Sequence, residues 1–183
     1  NQNTIIDAVK ENDLSSLRIL LDSGENVNAS DPDGSIALHW AVHNDSLEIT
    51  QLLLSAGSQV NAKNRYGVAP LSLAANNGSP SMVKTLLERG AFANTVMAEE
   101  ESVLMTAART GVEEVVDLLI SAGANVNARE SWRGQTALMW AAAEGNQKVL
   151  ELLISEGADV SARSDKGFTP LLFAAREGET SIV

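Results

Sequence analysis

Apolar residues recur along the chain in a fixed pattern that predicts pairs of short helices. A pair of leucines, or leucine followed by isoleucine, returns at one phase in five places: Leu20-Leu21, Leu53-Leu54, Leu86-Leu87, Leu119-Ile120 and Leu153-Ile154. An alanine returns at a second phase in six places: Ala8, Ala41, Ala74, Ala107, Ala141 and Ala174. Apolar residues at helical spacing indicate amphipathic helices that bury one face. The recurrence predicts one packing module that is used several times.

Glycine follows the same repeat. All 13 glycines fall into three phases: Gly24, Gly57, Gly90, Gly123 and Gly157; Gly34, Gly67, Gly134 and Gly167; and Gly78, Gly111, Gly145 and Gly178. The steps within the first phase are 33 residues, with a last step of 34. A period of this size is typical of a solenoid built from equivalent modules. Because glycine readily adopts the left-handed conformation that ends a helix, we expect helices to stop at the third phase. Asn12 and Asp45 replace glycine there in two copies and are expected to adopt the same positive φ.

Each module is predicted to contain two helices and a turn. Thr136 suits the N-cap of a first helix that runs through Ala142, and a second helix is expected from Lys148 to Ser155. Ser79-Pro80 matches a cap followed by a first-turn proline. A polar residue also recurs between modules: Asn28, Asn61, Asn94 and Asn127, with Ser161 in the fifth slot. No module could bury its apolar face alone, so neighbouring modules must stack.

These motifs resemble a known family. The segments that carry the resemblance are Thr169-Pro170-Leu171-Leu172-Phe173-Ala174-Ala175, Leu152-Leu153-Ile154-Ser155-Glu156-Gly157-Ala158 and Asn125-Val126-Asn127-Ala128. Together with the 33-residue period they are similar to the ankyrin repeat, and the consensus is similar to that of bacterial ankyrin proteins. The resemblance implies an all-α fold, an ankyrin-repeat α-solenoid of stacked helix-turn-helix units with β-hairpin-like loops.

The resemblance spans essentially the whole chain and implies a single ankyrin repeat domain, 1–183. The repeats are expected at about 1–29, 30–62, 63–95, 96–128, 129–162 and, in part, 163–183. The polar first helix of repeat one suits an outer cap. The last repeat stops at Ile182-Val183, soon after its second helix should begin, so we expect the chain to be a fragment or to lack its C-terminal cap.

Composition limits the classes of partner. Lys and Arg number 13 against 24 Asp and Glu, a formal net charge of -11. Nucleic acid is therefore a poor partner, and a basic protein is favoured. No apolar run is long enough to cross a membrane, and the absence of cysteine excludes disulfides and thiol catalysis. We expect a soluble monomer with no cofactor. The compartment stays open between the cytoplasm and, if a signal peptide was removed, the periplasm or the exterior.

The resemblance also implies where a partner would bind: at the hairpin tips and on the exposed side of the first helices, which form a concave face. The tip positions are Asp33, Ser35, Arg65, Tyr66, Val68, Glu99, Glu101, Trp132, Arg133, Gln135, Lys166 and Phe168. The first-helix positions are His43, Asn44, Asn76, Asn77, Arg109, Thr110, Ala143, Glu144, Arg176 and Glu177. From the helices, Arg109 and Arg176 are the leading candidates.

Tyr66, Trp132 and Phe168 occupy loop positions that the repeat does not need for its core. Buried aromatic residues and arginines dominate binding hot spots, typically at about 2 kcal/mol or more each. The alternative is that each ring lies against its own hairpin or a neighbouring repeat. One residue is inserted beside Trp132, and insertions in repeat proteins fall on loops, often on the binding face. The alternative is a loop insertion that has no role in binding.

Repeat four replaces the hairpin glycine with Glu99-Glu100-Glu101, so its turn must be built differently. The three glutamates form either an acidic docking point for a basic ligand or a solvated loop. Trp40 and Trp140 share one phase with Leu73 and Phe173, which favours packing between modules over a ligand site.

Catalytic chemistry finds little support. His39 and His43 lie four residues apart, a spacing that can place two imidazoles on one metal ion. The resemblance instead gives His39 a structural role in the hairpin's hydrogen bonds, so no metal site is predicted. The leading hypothesis is a non-enzymatic protein-interaction scaffold. The alternatives are a binding domain of a larger, enzymatic protein and a metal or small-molecule enzyme centred on the two histidines.

Overall fold

The computed structural model describes residues 4–177, apart from the side chain of Glu177. The described residues form eleven α-helices and one short 3-10 turn, Ala98–Glu100. The helices are α1 (Ile5–Lys10), α2 (Leu14–Asp22), α3 (Ala37–His43), α4 (Leu47–Ser55), α5 (Pro70–Asn77), α6 (Pro80–Glu88), α7 (Val103–Thr110), α8 (Glu113–Ser121), α9 (Ala137–Ala143), α10 (Gln147–Ser155) and α11 (Pro170–Glu177). The predicted all-α fold of paired helices is confirmed.

The chain divides into two compact units, one ending at Phe92 and the other beginning at Ala93. In the first unit, α1, α3 and α5 pack side by side, and each packs on the second helix of its own pair. In the second unit, α7, α9 and α11 pack in the same way, with α8 and α10 behind the first two. The single domain over 1–183 stays a prediction.

The two apolar phases of the sequence form the core of each unit. Ala8, Ala41 and Ala74 are fully buried in the first unit, where their small side chains allow the first helices to approach closely. In four of the five leucine pairs the first member faces inward: Leu53 is fully buried, as are its equivalents in the next three copies, whereas Leu20 is half-buried. The second member lies further out, and Ile154 is 45% exposed.

Helix ends follow the predicted glycine pattern. Every glycine from Gly24 to Gly167 has a positive φ, and Gly78 and Gly111 are left-handed C-caps. Asn12 and Asp45 adopt φ values of 55° and 53°, as predicted for the residues that replace glycine. The predictions for Gly178 and for the chain end at Ile182-Val183 lie outside the described residues.

The predicted helix starts are also present, with one difference. Thr136 is the N-cap of α9, and its hydroxyl accepts a hydrogen bond from the Met139 N–H at 3.4 Å. Ser79 occupies the N-cap position before Pro80, but its side chain makes no capping hydrogen bond. The position was correctly predicted, and the backbone conformation rather than the hydroxyl begins this helix.

The loops before the first helices are narrow hairpins rather than strands. Two isolated antiparallel bridges occur in the described residues, Ser30 with Ile36 and Val96 with Ser102. Neighbouring tips are joined by backbone hydrogen bonds: Arg65 N–H to Asp33 O at 2.8 Å, Ser131 N–H to Glu99 O at 2.8 Å and Asp165 N–H to Arg133 O at 2.9 Å. Successive tips within a unit are therefore held in register. No helix among residues 4–177 is long and apolar enough to cross a membrane.

Candidate functional site

The second unit contains a groove of about 430 Å³ between two hairpin tips and the first helices. Nine of the residues predicted from the sequence line it: Arg109, Trp132, Arg133, Gln135, Ala143, Glu144, Lys166, Phe168 and Arg176. The hairpin before α9 supplies three of them and the hairpin before α11 supplies two, while α7 and α11 supply one arginine each. The last two, Ala143 and Glu144, lie at the C-terminal end of α9. We call this surface the Trp140 groove, after the tryptophan on α9 at its wall.

Sequence reasoning missed part of the groove. The shared repeat phase predicts packing between modules for Trp140 and Phe173, yet both line the groove. Phe173 is 7% exposed and does pack, with its ring 6.0 Å from that of Phe168, but Trp140 is only half-buried. Asp165 and Met139 also line it without having been predicted. The sequence does contain a signal for this role of Trp140. The residue directly precedes Ala141, one of the recurring buried alanines, and so lies at the edge of the packed helix face.

Basic side chains lie over aromatic rings along the Trp140 groove. The guanidinium of Arg133 is 3.8 Å from the centre of the Trp132 ring. Arg109 is 5.9 Å from the Trp140 ring, and Arg176 is 5.4 Å from the Phe173 ring. A cation within about 6 Å of an aromatic face is attracted by the ring quadrupole. These pairs order the cations within the groove.

The three predicted tip aromatics are exposed. Trp132 is 64% exposed, Tyr66 63% and Phe168 46%. Trp132 carries Arg133 on its face and Phe168 meets Phe173 edge to face, so both of these rings are partly packed on their own surroundings. Each still presents a large apolar area to solvent, and rigid aromatic surface of this kind is enriched at protein interfaces.

The hairpin that carries Trp132 is built around Glu130, which sequence reasoning did not single out. Its backbone N–H donates to Gln135 O, whereas the equivalent bond in repeat three joins Asn64 to Val68, one residue nearer. The buried Glu130 carboxylate accepts from the backbone N–H groups of Trp132 at 2.6 Å, Arg133 at 2.9 Å and Gln135 at 2.8 Å. Asn64 makes the same kind of contact in its shorter hairpin. The predicted insertion therefore lies in the hairpin, and a longer acidic side chain closes the longer loop.

The first unit has a smaller groove of about 280 Å³, here called the Trp40 groove, at the matching place on α3. It includes Asp33 and Ser35 from the predicted set, together with Trp40. Ser35 is 5% exposed, and its hydroxyl hydrogen-bonds to Asp33 and Asn64 within the hairpins, so its role in binding a partner stays a prediction. The Ser35 backbone N–H donates to Asp33 at 2.9 Å and lowers the pKa of that carboxyl.

The remaining predicted residues of this unit lie on the next hairpin. Arg65 and Tyr66 are exposed, and Arg65 donates a hydrogen bond to the carbonyl of Pro32. Val68 is half-buried, and its carbonyl is engaged by the ring of His39. Arg65 and Tyr66 are therefore the members of this tip whose side chains are open to a partner.

The acidic hairpin of repeat four builds its turn without glycine, as predicted. Glu99 and Glu100 have φ values of 58° and 60°, and both side chains are exposed. Glu101 is half-buried and accepts a hydrogen bond from the Thr106 hydroxyl at 2.8 Å. Glu99 and Glu101 do not line the Trp140 groove.

Comparison with known families decides the identity of the fold. The family model described as ankyrin repeats (3 copies) matches residues 5–97 and 104–183. The chain belongs to the ankyrin repeat family. No curated protein matches it. Ankyrin repeats are generally protein-protein interaction modules and are typically non-enzymatic.

Within these ankyrin repeats His39 is structural. It is 3% exposed, its Nδ1 accepts from the Ile36 N–H at 3.2 Å, and its Nε2 then donates to Val68 O at 3.1 Å. Burial lowers the pKa of the ring, against the smaller opposing effect of these hydrogen bonds. Both nitrogens are thus engaged, which leaves none to bind a metal together with His43. No group of three or more potential metal ligands occurs among the described residues.

Proposed function

We propose that this chain is a non-enzymatic scaffold that binds a partner protein through its hairpin tips and the concave side of its first helices. One observation supports the proposal: nine residues that the sequence predicts at tip or first-helix positions line a single groove. They include the exposed Trp132, Phe168 and three arginines, the residue types that are enriched at interfaces.

The scaffold would act by preorganisation. The tips are already joined by backbone hydrogen bonds, and the rings and guanidinium groups are already stacked. Because these side chains lose little further freedom on binding, less entropy is lost at the interface.

The test is affinity capture of partner proteins with the whole chain and with the triple variant Tyr66→Ala, Trp132→Ala, Phe168→Ala. Three exposed apolar residues outside the tips provide a matched control: Ile19→Ala, Phe92→Ala and Ile154→Ala, which are 69%, 66% and 45% exposed. We expect the tip variant to lose at least about tenfold in affinity and the control to keep it. A partner that survives the tip variant but not the control would move the interface to another face.

The exposed glutamates of the repeat-four hairpin favour a second contact with the partner protein, to its basic residues. Glu99 and Glu100 are exposed at the tip of their hairpin. Charge reversal of Glu99, Glu100 and Glu101 to lysine is expected to slow association and to reduce its dependence on salt, because rim charges steer encounter. An unchanged association rate and salt dependence would remove the basic contact and leave the scaffold function standing.

A further inference from the structure

We propose that the Trp140 groove binds an acidic segment of the partner protein, and that one carboxylate of this segment contacts both Arg109 and Trp140. The inference rests on the proposed scaffold function and names the chemistry of its ligand. It is carried by a comparison between equivalent positions in the two units of the same chain.

In the first unit, one carboxylate oxygen joins a cation to an indole. Lys10 Nζ lies 2.9 Å from Asp31 Oδ2, and Trp40 Nε1 donates to the same oxygen at 3.0 Å. The ammonium also lies 4.1 Å from the centre of the Trp40 ring. The ammonium of Lys10, the indole of Trp40 and the carboxylate of Asp31 therefore each contact the other two, at the edge of the Trp40 groove.

The second unit has a cation and an indole at the positions equivalent to Lys10 and Trp40. Arg109 lies 99 residues after Lys10, and Trp140 lies 100 residues after Trp40, the extra residue being the insertion beside Trp132. As in the first unit, the cation stands over the ring, here with Arg109 5.9 Å from its centre.

Among residues 93–177, no carboxylate accepts a hydrogen bond from Trp140 Nε1 as Asp31 does from Trp40 Nε1. Glu130 lies 99 residues after Asp31, but its oxygens are occupied by the backbone amides of the widened hairpin. The Trp140 Nε1–H is buried and has no hydrogen-bond partner within the described part of the chain. Buried donors are almost always paired in folded proteins. In this proposal the groove opens locally at the buried nitrogen, and a ligand carboxylate supplies the acceptor that Asp31 supplies in the first unit.

The charge distribution favours an acidic peptide over a polyanion. From residue 93 onward the chain has seven basic and 14 acidic residues, and four of the seven basic ones line this groove: Arg109, Arg133, Lys166 and Arg176. Of the two acidic residues at the wall, Glu144 and Asp165, the second lies 3.3 Å from Arg129. The groove is thus locally cationic in an acidic surround, which attracts a few carboxylates and repels a long nucleic acid.

The exposed aromatic rings of the groove indicate which residues separate the acidic residues of the proposed peptide ligand. Trp132 and Phe168 are exposed beside the cations and offer apolar area rather than hydrogen-bond acceptors. The ligand is therefore expected to combine acidic side chains with apolar ones.

The first test measures the fluorescence anisotropy of a labelled short peptide of alternating glutamate and leucine, with the whole chain as binder. The glutamine-leucine peptide is expected to bind at least about tenfold more weakly, and the lysine-leucine peptide and a single-stranded oligothymidylate not to bind. Arg109→Gln and Trp140→Phe should each weaken binding about tenfold. The matched first-unit variants, Lys10→Gln and Trp40→Phe, should leave it unchanged, because Asp31 already contacts both of those side chains.

The second test uses the indole N–H signals of the chain, which contains three tryptophans. On addition of the glutamate-leucine peptide to isotope-labelled protein, the Trp140 indole N–H should shift and the Trp40 signal should stay, with Trp→Phe variants providing the assignments. Equal binding of the glutamine peptide or of the oligonucleotide, unchanged binding by Arg109→Gln, or an unmoved Trp140 signal would each overturn the inference. If any of these occurred while the tip variant still lost its captured partner, the scaffold function would stand without it.

Discussion

The side-chain nitrogen of Asn61 lies 2.9 Å from the carbonyl oxygen of Gly90, and the amide oxygen of Asn61 accepts from the Phe92 N–H at 2.9 Å. Asn28 makes the same two contacts to Gly57 and Gln59. In the second unit Asn94 and Asn127 do so as well. Asparagine suits this place because one planar amide carries both a donor and an acceptor. The recurring asparagine of the sequence is thus a clamp between consecutive repeats.

Removal of one clamp should loosen one junction between repeats. Asn61→Ala deletes both hydrogen bonds, and we expect the free energy of unfolding to fall by about 1–2 kcal/mol. Asn61→Asp keeps an acceptor for Phe92 but sets a carboxylate against the Gly90 carbonyl, so it should not restore stability. Urea denaturation measures both. Gln59→Ala, on the same loop, is the control, and an equal loss in that variant would contradict the clamp.

The buried His39 should make stability depend on pH. Its pKa in the folded chain is lowered below the ordinary 6.5 by burial, so the unfolded chain takes up this proton first. Stability is therefore fully present above about pH 6.5 and falls as the pH drops below it. We expect His39→Gln to be less stable at neutral pH and to lose less stability than the parent between about pH 7.5 and 5.5.

The comparison requires denaturation curves at both pH values for the parent chain and for two variants. His43→Gln changes the exposed histidine on the same helix and should keep the parent's pH dependence. If the His39→Gln variant kept the full pH dependence of stability, a titratable group other than His39 would be responsible for that dependence.

Glu130 should be essential for the widened hairpin. Glu130→Ala leaves the backbone N–H groups of Trp132, Arg133 and Gln135 without their acceptor, so we expect a loss of about 1–3 kcal/mol. Hydrogen exchange should quicken at these three amides in particular. Glu114→Ala, an exposed glutamate on α8, serves as the comparison and should change neither quantity appreciably. Unchanged exchange in Glu130→Ala would mean that the loop holds its shape without the carboxylate.

Replacing Glu100, in the turn of the acidic hairpin of repeat four, with glycine should stabilise the fold. Glu100 has a φ of 60°, a conformation that costs an L-residue about 1 kcal/mol or more. Glu100→Gly removes that strain but gains freedom in the unfolded chain, so a net rise in stability of about 0.5–1 kcal/mol is expected. Glu113→Gly, in the first turn of α8, should instead lower stability by a similar amount. Thermal denaturation distinguishes the two signs, and a loss in Glu100→Gly would contradict the strain.

The residues that sequence reasoning placed correctly are those whose role is local. The positive φ of Asn12 and Asp45 and the cap at Thr136 depend on a few neighbours in the chain, and the same neighbours return in every module. A period of 33 residues also fixes which faces must be buried, because no module covers its apolar side alone. Fold class, helix ends and the hairpin insertion were therefore accessible without coordinates.

The Trp140 groove depended on the tertiary structure. Its walls come from residues 109 to 176, and only the stacking of modules decides which of them meet. Net charge predicted a basic partner, whereas stacking collects four of the scarce basic residues in one place. Asp31 and Glu130 occupy equivalent positions with similar side chains, yet one pairs with an indole and the other closes a loop. That difference arises from one inserted residue, whose effect on side-chain direction is a matter of three-dimensional geometry rather than of residue type.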